Sequence, residues 1–161
     1  MKDARFTLEF LTHVLANDIA PDGRRDRFQH ASDGAIVFRQ TWWYSALDAA
    51  IKLSDLRDVK PGHISLDPCV KASTATYKRK FDKDGRTCYR THEAIMPGTR
   101  AQFAASVDDH ITTSTLQTLL HRMGRFVGLS PYGHKLGFGR FQVVSVEVNP
   151  SIAANRQSDA G

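Results

Sequence analysis

Cysteine is scarce in this sequence: Cys69 and Cys88 are the only two in 161 residues. Neither has a second cysteine or a histidine at the spacing of a zinc finger or knuckle. The spacing therefore argues against a structural zinc site, no metal or other cofactor is expected, and so few thiols suit a reducing compartment. Long hydrophobic runs are absent too. No stretch approaches the ~20 apolar residues that span a bilayer, and the opening Met1 to Glu9 has no apolar core of signal-peptide length. The expectation is a cytoplasmic protein with no membrane partner. Enzyme signatures are equally lacking: there is no G-x-S-x-G, no G-x-x-x-x-G-K-[ST], no H-E-x-x-H and no acid cluster adequate for two metals. Asp108-Asp109-His110 stands just before a helical pattern, where such residues serve as caps and dipole partners.

What is present is positive charge, unevenly placed. Lys plus Arg number 22 against 17 Asp plus Glu, a formal net charge of +5 that favours an anionic partner. Between Lys71 and Arg90 stand seven basic residues (Lys71, Lys78, Arg79, Lys80, Lys83, Arg86, Arg90) and two acids, so this segment alone equals the net charge of the chain.

Length implies one domain over 1–148, with 149–161 as a polar, frayed tail. Alternating apolar residues predict a first strand from Arg5 to Leu15, with Phe6, Leu8, Phe10 and Thr12 on one side. Turn residues from Ala16 to Gly34 predict a long surface loop, followed by a short strand from Ala35 to Arg39. Trp43, Ala46, Leu47, Ala50 and Leu53 or Ser54 recur at helical steps behind Thr41 as N-cap. His63 to Val70 reads as a strand interrupted at Pro68. Thr74 to Ala94, folded about Asp82-Lys83-Asp84-Gly85, reads as a basic hairpin too poor in aliphatic residues to supply core. Another strand is expected over Thr99 to Val107. The clearest helical stripe is Leu116, Leu119, Leu120, Met123 and Val127. A glycine-punctuated loop, Ser130 to Phe141, leads into a last strand from about Phe138 to Val148. In that loop Gly133, Gly137 and Gly139 permit close backbone approach, and His134, Lys135 and Arg140 offer donors to phosphate.

The order strand, helix, strand, strand, helix, strand favours an α+β, ferredoxin-like or RRM-like split βαβ sandwich carrying an inserted hairpin at about 74–94. Three stretches then resemble the RAMP (repeat-associated mysterious protein) superfamily of CRISPR systems. These are Leu116 to Phe126 with Gly128 and Gly137-Phe-Gly-Arg-Phe141, then Phe28 to Phe38 running into Trp42-Trp-Tyr-Ser-Ala-Leu47, and the hairpin itself. The sequence departs from that pattern at Gln40-Thr-Trp-Trp43, where the family has small glycine and serine residues.

The resemblance implies binding of RNA or single-stranded nucleic acid along its backbone, either as a subunit of a CRISPR-like ribonucleoprotein or in a stand-alone phage or mobile-element relative. Lys78, Arg79, Lys80, Arg86, Arg90, His134, Lys135, Gly137, Gly139 and Arg140 would meet phosphates, and Tyr77, Trp42 or Phe138 would offer stacking surfaces. Two alternatives stand beside this reading. One is a metal-independent endoribonuclease using His13, His30 or His134 as acid or base; the other is a protein-interaction module, inhibitor or adaptor, with partner subunits or self-association.

Overall fold

The structure, a computed structural model, describes residues 1–20, 22–132 and 135–148. Gly133, His134 and the tail expected over 149–161 lie outside the described residues. Among the described residues the elements follow in order: β1 (Lys2–Phe10), β2 (Val14–Leu15), β3 (Asp18–Ile19), β4 (Arg25–Arg27), β5 (Ile36–Val37), α1 (Gln40–Ser54), β6 (Ile64–Leu66), β7 (Cys69–Val70), β8 (Ala75–Lys83), β9 (Arg86–Ile95), β10 (Arg100–Val107), α2 (Thr113–Arg122) and β11 (Phe141–Val148). The architecture is α+β with antiparallel sheets. No helix among the described residues is long and apolar enough to cross a membrane.

The main sheet runs β11-β1-β10-β6, and every neighbouring pair is antiparallel. Alternation in β1 buries Ala4, Phe6, Leu8 and Phe10 while Asp3, Arg5, Thr7 and Glu9 point the other way. In β10, Ala101, Phe103, Ala105 and Val107 repeat the pattern. Phe6 stacks on Phe103 and on Trp43 of α1, with ring centroids 5.5 and 5.9 Å apart, and the Trp43 indole donates to the Ile64 carbonyl at 2.8 Å. The helical stripe of α2 is buried as its spacing predicts: Leu116, Leu119 and Leu120, then Met123 and Val127 on a π-helical turn that extends the helix (Met123–Val127). Thr112 caps α2, its hydroxyl accepting from the Thr115 amide. The opposite face of β1 and β10 carries charged and polar side chains with Ala104 and no aromatic residue, so it offers no stacking platform.

Several boundaries differ from the expected ones. The first strand stops at Phe10; Val14 and Leu15 leave the main sheet and pair with Ile95 and Ala94 at the foot of the hairpin, so Thr12 is a loop residue. The stretch from Ala16 to Gly34 is not simply a surface loop. β3 and β4 pair within it, Asp18 and Asp26 are buried, and Phe28 is sealed against Phe38 and Trp42. Helix α1 begins at Gln40, with Arg39 at the cap position; its side chain makes no capping bond and pairs instead with Asp18 at 2.8 Å, so Thr41 is inside the helix. Ile51 takes the buried place expected of Leu53, which is half exposed. Pro68 does interrupt the second strand, and its carbonyl accepts from the Phe38 amide at 2.7 Å.

Candidate nucleic-acid interface

The hairpin is made by its turn. Asp84 and Gly85 both have positive φ, 53° and 76°, as a two-residue turn matched to strand twist requires. Its pairs run from Ala75↔Ala94 to Lys83↔Arg86. Residues paired directly across share a face, so the register sorts the charges. One face carries Lys78, Lys80, Thr87, Tyr89 and Thr91, with Asp82 beside Lys80 towards the tip, all exposed. The Lys78 ammonium sits 4.5 Å from the Tyr89 ring centroid, which is a cation–π contact on open surface. At the tip, Lys83 and Arg86 face each other. Like charges directly opposite cost stability, and an anion between them would repay it.

The other face is used internally. The Arg90 guanidinium pairs with Asp26, a buried carboxylate held at positive φ (59°). Arg79 donates through Nε to His92 Nε2 at 3.2 Å and lies over the rings of Phe81 and Tyr132, at 5.0 and 5.1 Å. His92, fully buried, donates from Nδ1 to the Ala16 carbonyl at 2.7 Å. Tyr132 then meets the His92 ring edge-on at 5.6 Å and Phe138 at 6.1 Å, while Tyr77 packs on His13 at 4.1 Å. Burial, and secondarily the Asp26 charge, raise the Tyr132 hydroxyl above the usual tyrosine range. A crook thus forms between the hairpin and the loop before β11, walled by the half-buried rings of Tyr77, Tyr132, Phe138 and His13.

The glycine loop is pinned to this crook. Thr12 staples it: its hydroxyl donates to the Gly137 carbonyl and accepts from the Arg140 amide, both at 2.8 Å. The Gly139 amide donates to the His13 carbonyl at 2.8 Å. A Cβ on Gly139 would stand 2.3 Å from the Leu129 carbonyl, and one on Gly128 would stand 2.4 Å from the Phe138 carbonyl. Those two glycines let the chain cross itself, so the close approach expected of Gly139 is spent within the protein. Gly137, at φ 75° with open space where a Cβ would lie, faces no such neighbour. Lys135 is exposed; Arg140 is half-buried and donates to the Arg125 carbonyl.

The expected site residues therefore separate. Lys78, Lys80 and Arg86 are displayed, whereas Arg79 lies on rings and His92, and Arg90, though half exposed, is held by Asp26. Trp42, expected as a stacking surface, is 8% exposed and packs on Phe38 and Phe28, so it cannot stack on a base. His30 sets its Nδ1 against the Gly34 carbonyl (3.0 Å) and its Nε2 against the Glu93 carboxylate (2.9 Å), so both nitrogens are engaged. The Gly34 carbonyl and then the Glu93 carboxylate hold its pKa above the ordinary histidine value, against an opposing effect of burial. Burial lowers that of His13. Thr12, Tyr89, Asp26 and Tyr132 were missed by sequence reasoning. Tyr89 alone could have been found, from its place across the turn from Lys80.

An α+β fold with antiparallel sheets, two helices and one projecting basic hairpin is the class these features define. No family model matches the chain, and no curated protein does. Among solved structures it is similar to a chain of the cryo-EM structure of the Type III-B Cmr-beta bound to cognate target RNA, with a TM-score of 0.53 and 12% identity. That match covers 92% of this chain but 60% of the other, so the chain spans about three-fifths of the length of the one it resembles.

Proposed function

We propose that the protein is a ferredoxin-like, RAMP-like domain that binds RNA or single-stranded nucleic acid along its phosphate backbone, as one subunit of a CRISPR-like ribonucleoprotein. The observation that carries this is the exposed hairpin face, where Lys80 stands directly across from Tyr89 and Lys78 lies over its ring, with no carboxylate paired to either lysine among the described residues. Lysines there neutralise phosphates and release counterions, and Tyr89 supplies a sequence-tolerant stacking plane. Arg86 and Lys83 add charge at the tip, and Lys135, His134 and Gly137 add donors at the loop. Arg79 and Arg90 hold the hairpin against the domain; Gly139 and Arg140 hold the loop in place. The resemblance in fold to a chain from an RNA-bound complex supports the reading. Fluorescence anisotropy of a labelled single-stranded RNA tests it: Lys78→Glu with Lys80→Glu abolishes binding at moderate salt, whereas undiminished binding refutes it.

A further inference from the structure

A second charged surface lies on the other side of the last strand. Arg122, Arg125 and Arg140 line a groove of about 660 Å³ together with Leu11, Phe126 and Phe141. Neither Arg122 nor Arg125 pairs with a carboxylate among the described residues; Arg122 donates to the Leu53 carbonyl and Arg125 lies over the Phe126 ring at 5.4 Å. Phe126 also walls an adjoining hollow of about 540 Å³ with Ala49, Leu53 and Val127, at whose rim Asp48 is neutralised by Lys52 at 2.9 Å. Leu11, Leu53 and Phe126 are each half exposed, at 50, 51 and 50%. Three large apolar side chains left in water beside Arg122 and Arg125 form a patch that charged rims alone do not explain.

We propose that this surface docks an acidic protein segment bearing an aliphatic anchor. The anchor fills the hollow beside Phe126, and the carboxylates meet the guanidiniums of Arg122 and Arg125. Arginine suits that task because its planar fork accepts a carboxylate through two parallel bonds while its weakly hydrated plane tolerates a desolvated interface. The aliphatic lining decides between protein and nucleic acid: Leu11 and Leu53 offer no plane for a base, and one face of Phe126 is already covered by Arg125. This inference does not depend on the nucleic-acid reading, which concerns the hairpin.

The test uses the full chain, isotope-labelled for NMR, and a synthetic amphipathic helix of glutamate, leucine and alanine as probe. The probe shifts resonances of Leu11, Leu53 and Phe126, and Arg122→Glu with Arg125→Glu weakens its binding by about tenfold or more. A probe with serine in place of leucine fails to bind. Phe126→Ser supplies an independent variant should the double charge reversal unfold. The proposal is overturned if the probe leaves these residues unmoved, if the variants bind it as the parent does, or if a polyuridine oligonucleotide shifts them and the peptide does not.

Discussion

Replacing Gly139 by alanine separates two roles for a glycine, conformational freedom and close approach, because Gly137 two residues earlier supplies the control. Both have positive φ, 71° and 75°. In that region a Cβ costs about 1–2 kcal/mol wherever it is placed. At Gly137 nothing lies within 4 Å of the added atom, so Gly137→Ala costs only that amount. At Gly139 the new Cβ stands 2.3 Å from the Leu129 carbonyl oxygen and 2.9 Å from the Leu129 amide nitrogen, all backbone atoms that cannot rotate away. Relieving such a clash moves the crossing and strains the bond from the Leu129 amide to the Gly139 carbonyl, adding about 1–3 kcal/mol. Gly139→Ala should thus cost about 2–5 kcal/mol, or roughly 2–4 °C of melting temperature for each kcal/mol in a chain of this size. Urea titration of both variants with a shared m-value gives the difference. Equal destabilisation of the two variants would refute the self-crossing as the reason for Gly139.

Arg90→Ala leaves the Asp26 carboxylate buried without its partner and should cost about 2 kcal/mol, the low end because Arg90 is half exposed; the double variant with Asp26→Ala should lose less than the sum of the singles in denaturant titrations. His30 has a folded pKa raised above its unfolded value, chiefly by the Gly34 carbonyl. Its stabilisation is present in full below about pH 6.5 and is lost as pH rises through the folded value. His30→Ala should flatten the alkaline fall of melting temperature, and an unchanged pH profile contradicts the assignment. His110, raised mainly by the Asp108 carboxylate, acts in the same direction. His13, lowered by burial, acts oppositely: its contribution is present above about pH 6.5 and disappears as pH falls. Tyr89→Ala should weaken RNA binding by about 1–3 kcal/mol with no change in salt slope, measured by anisotropy.

The parts of the fold that periodicity controls were legible. Phe6, Leu8 and Phe10 alternate because β1 has one buried face, and the α2 stripe follows the helical period. Asp84-Gly85 announces its turn through the φ it must adopt. What was illegible depends on contacts distant in sequence. Nothing local in Asp26 foretells a partner at Arg90, and Thr12 reads as a strand residue until Gly137 and Arg140 are brought to its hydroxyl. The same holds for the charges. Composition located a basic segment, but only the register of β8 on β9 puts Lys78 and Lys80 on the open face and Arg79 and Arg90 on the face that meets His92 and Asp26.

The central claim is that displayed lysines, and not basic composition at large, carry nucleic-acid binding. The salt dependence of single-stranded RNA affinity measures it directly, because each phosphate contact contributes about −0.7 to the slope of log K against log salt. Lys78→Ala with Lys80→Ala should make that slope shallower by about 1.4 and lower affinity alike for RNAs of different sequence. A double variant with the parent's slope and affinity would contradict the account.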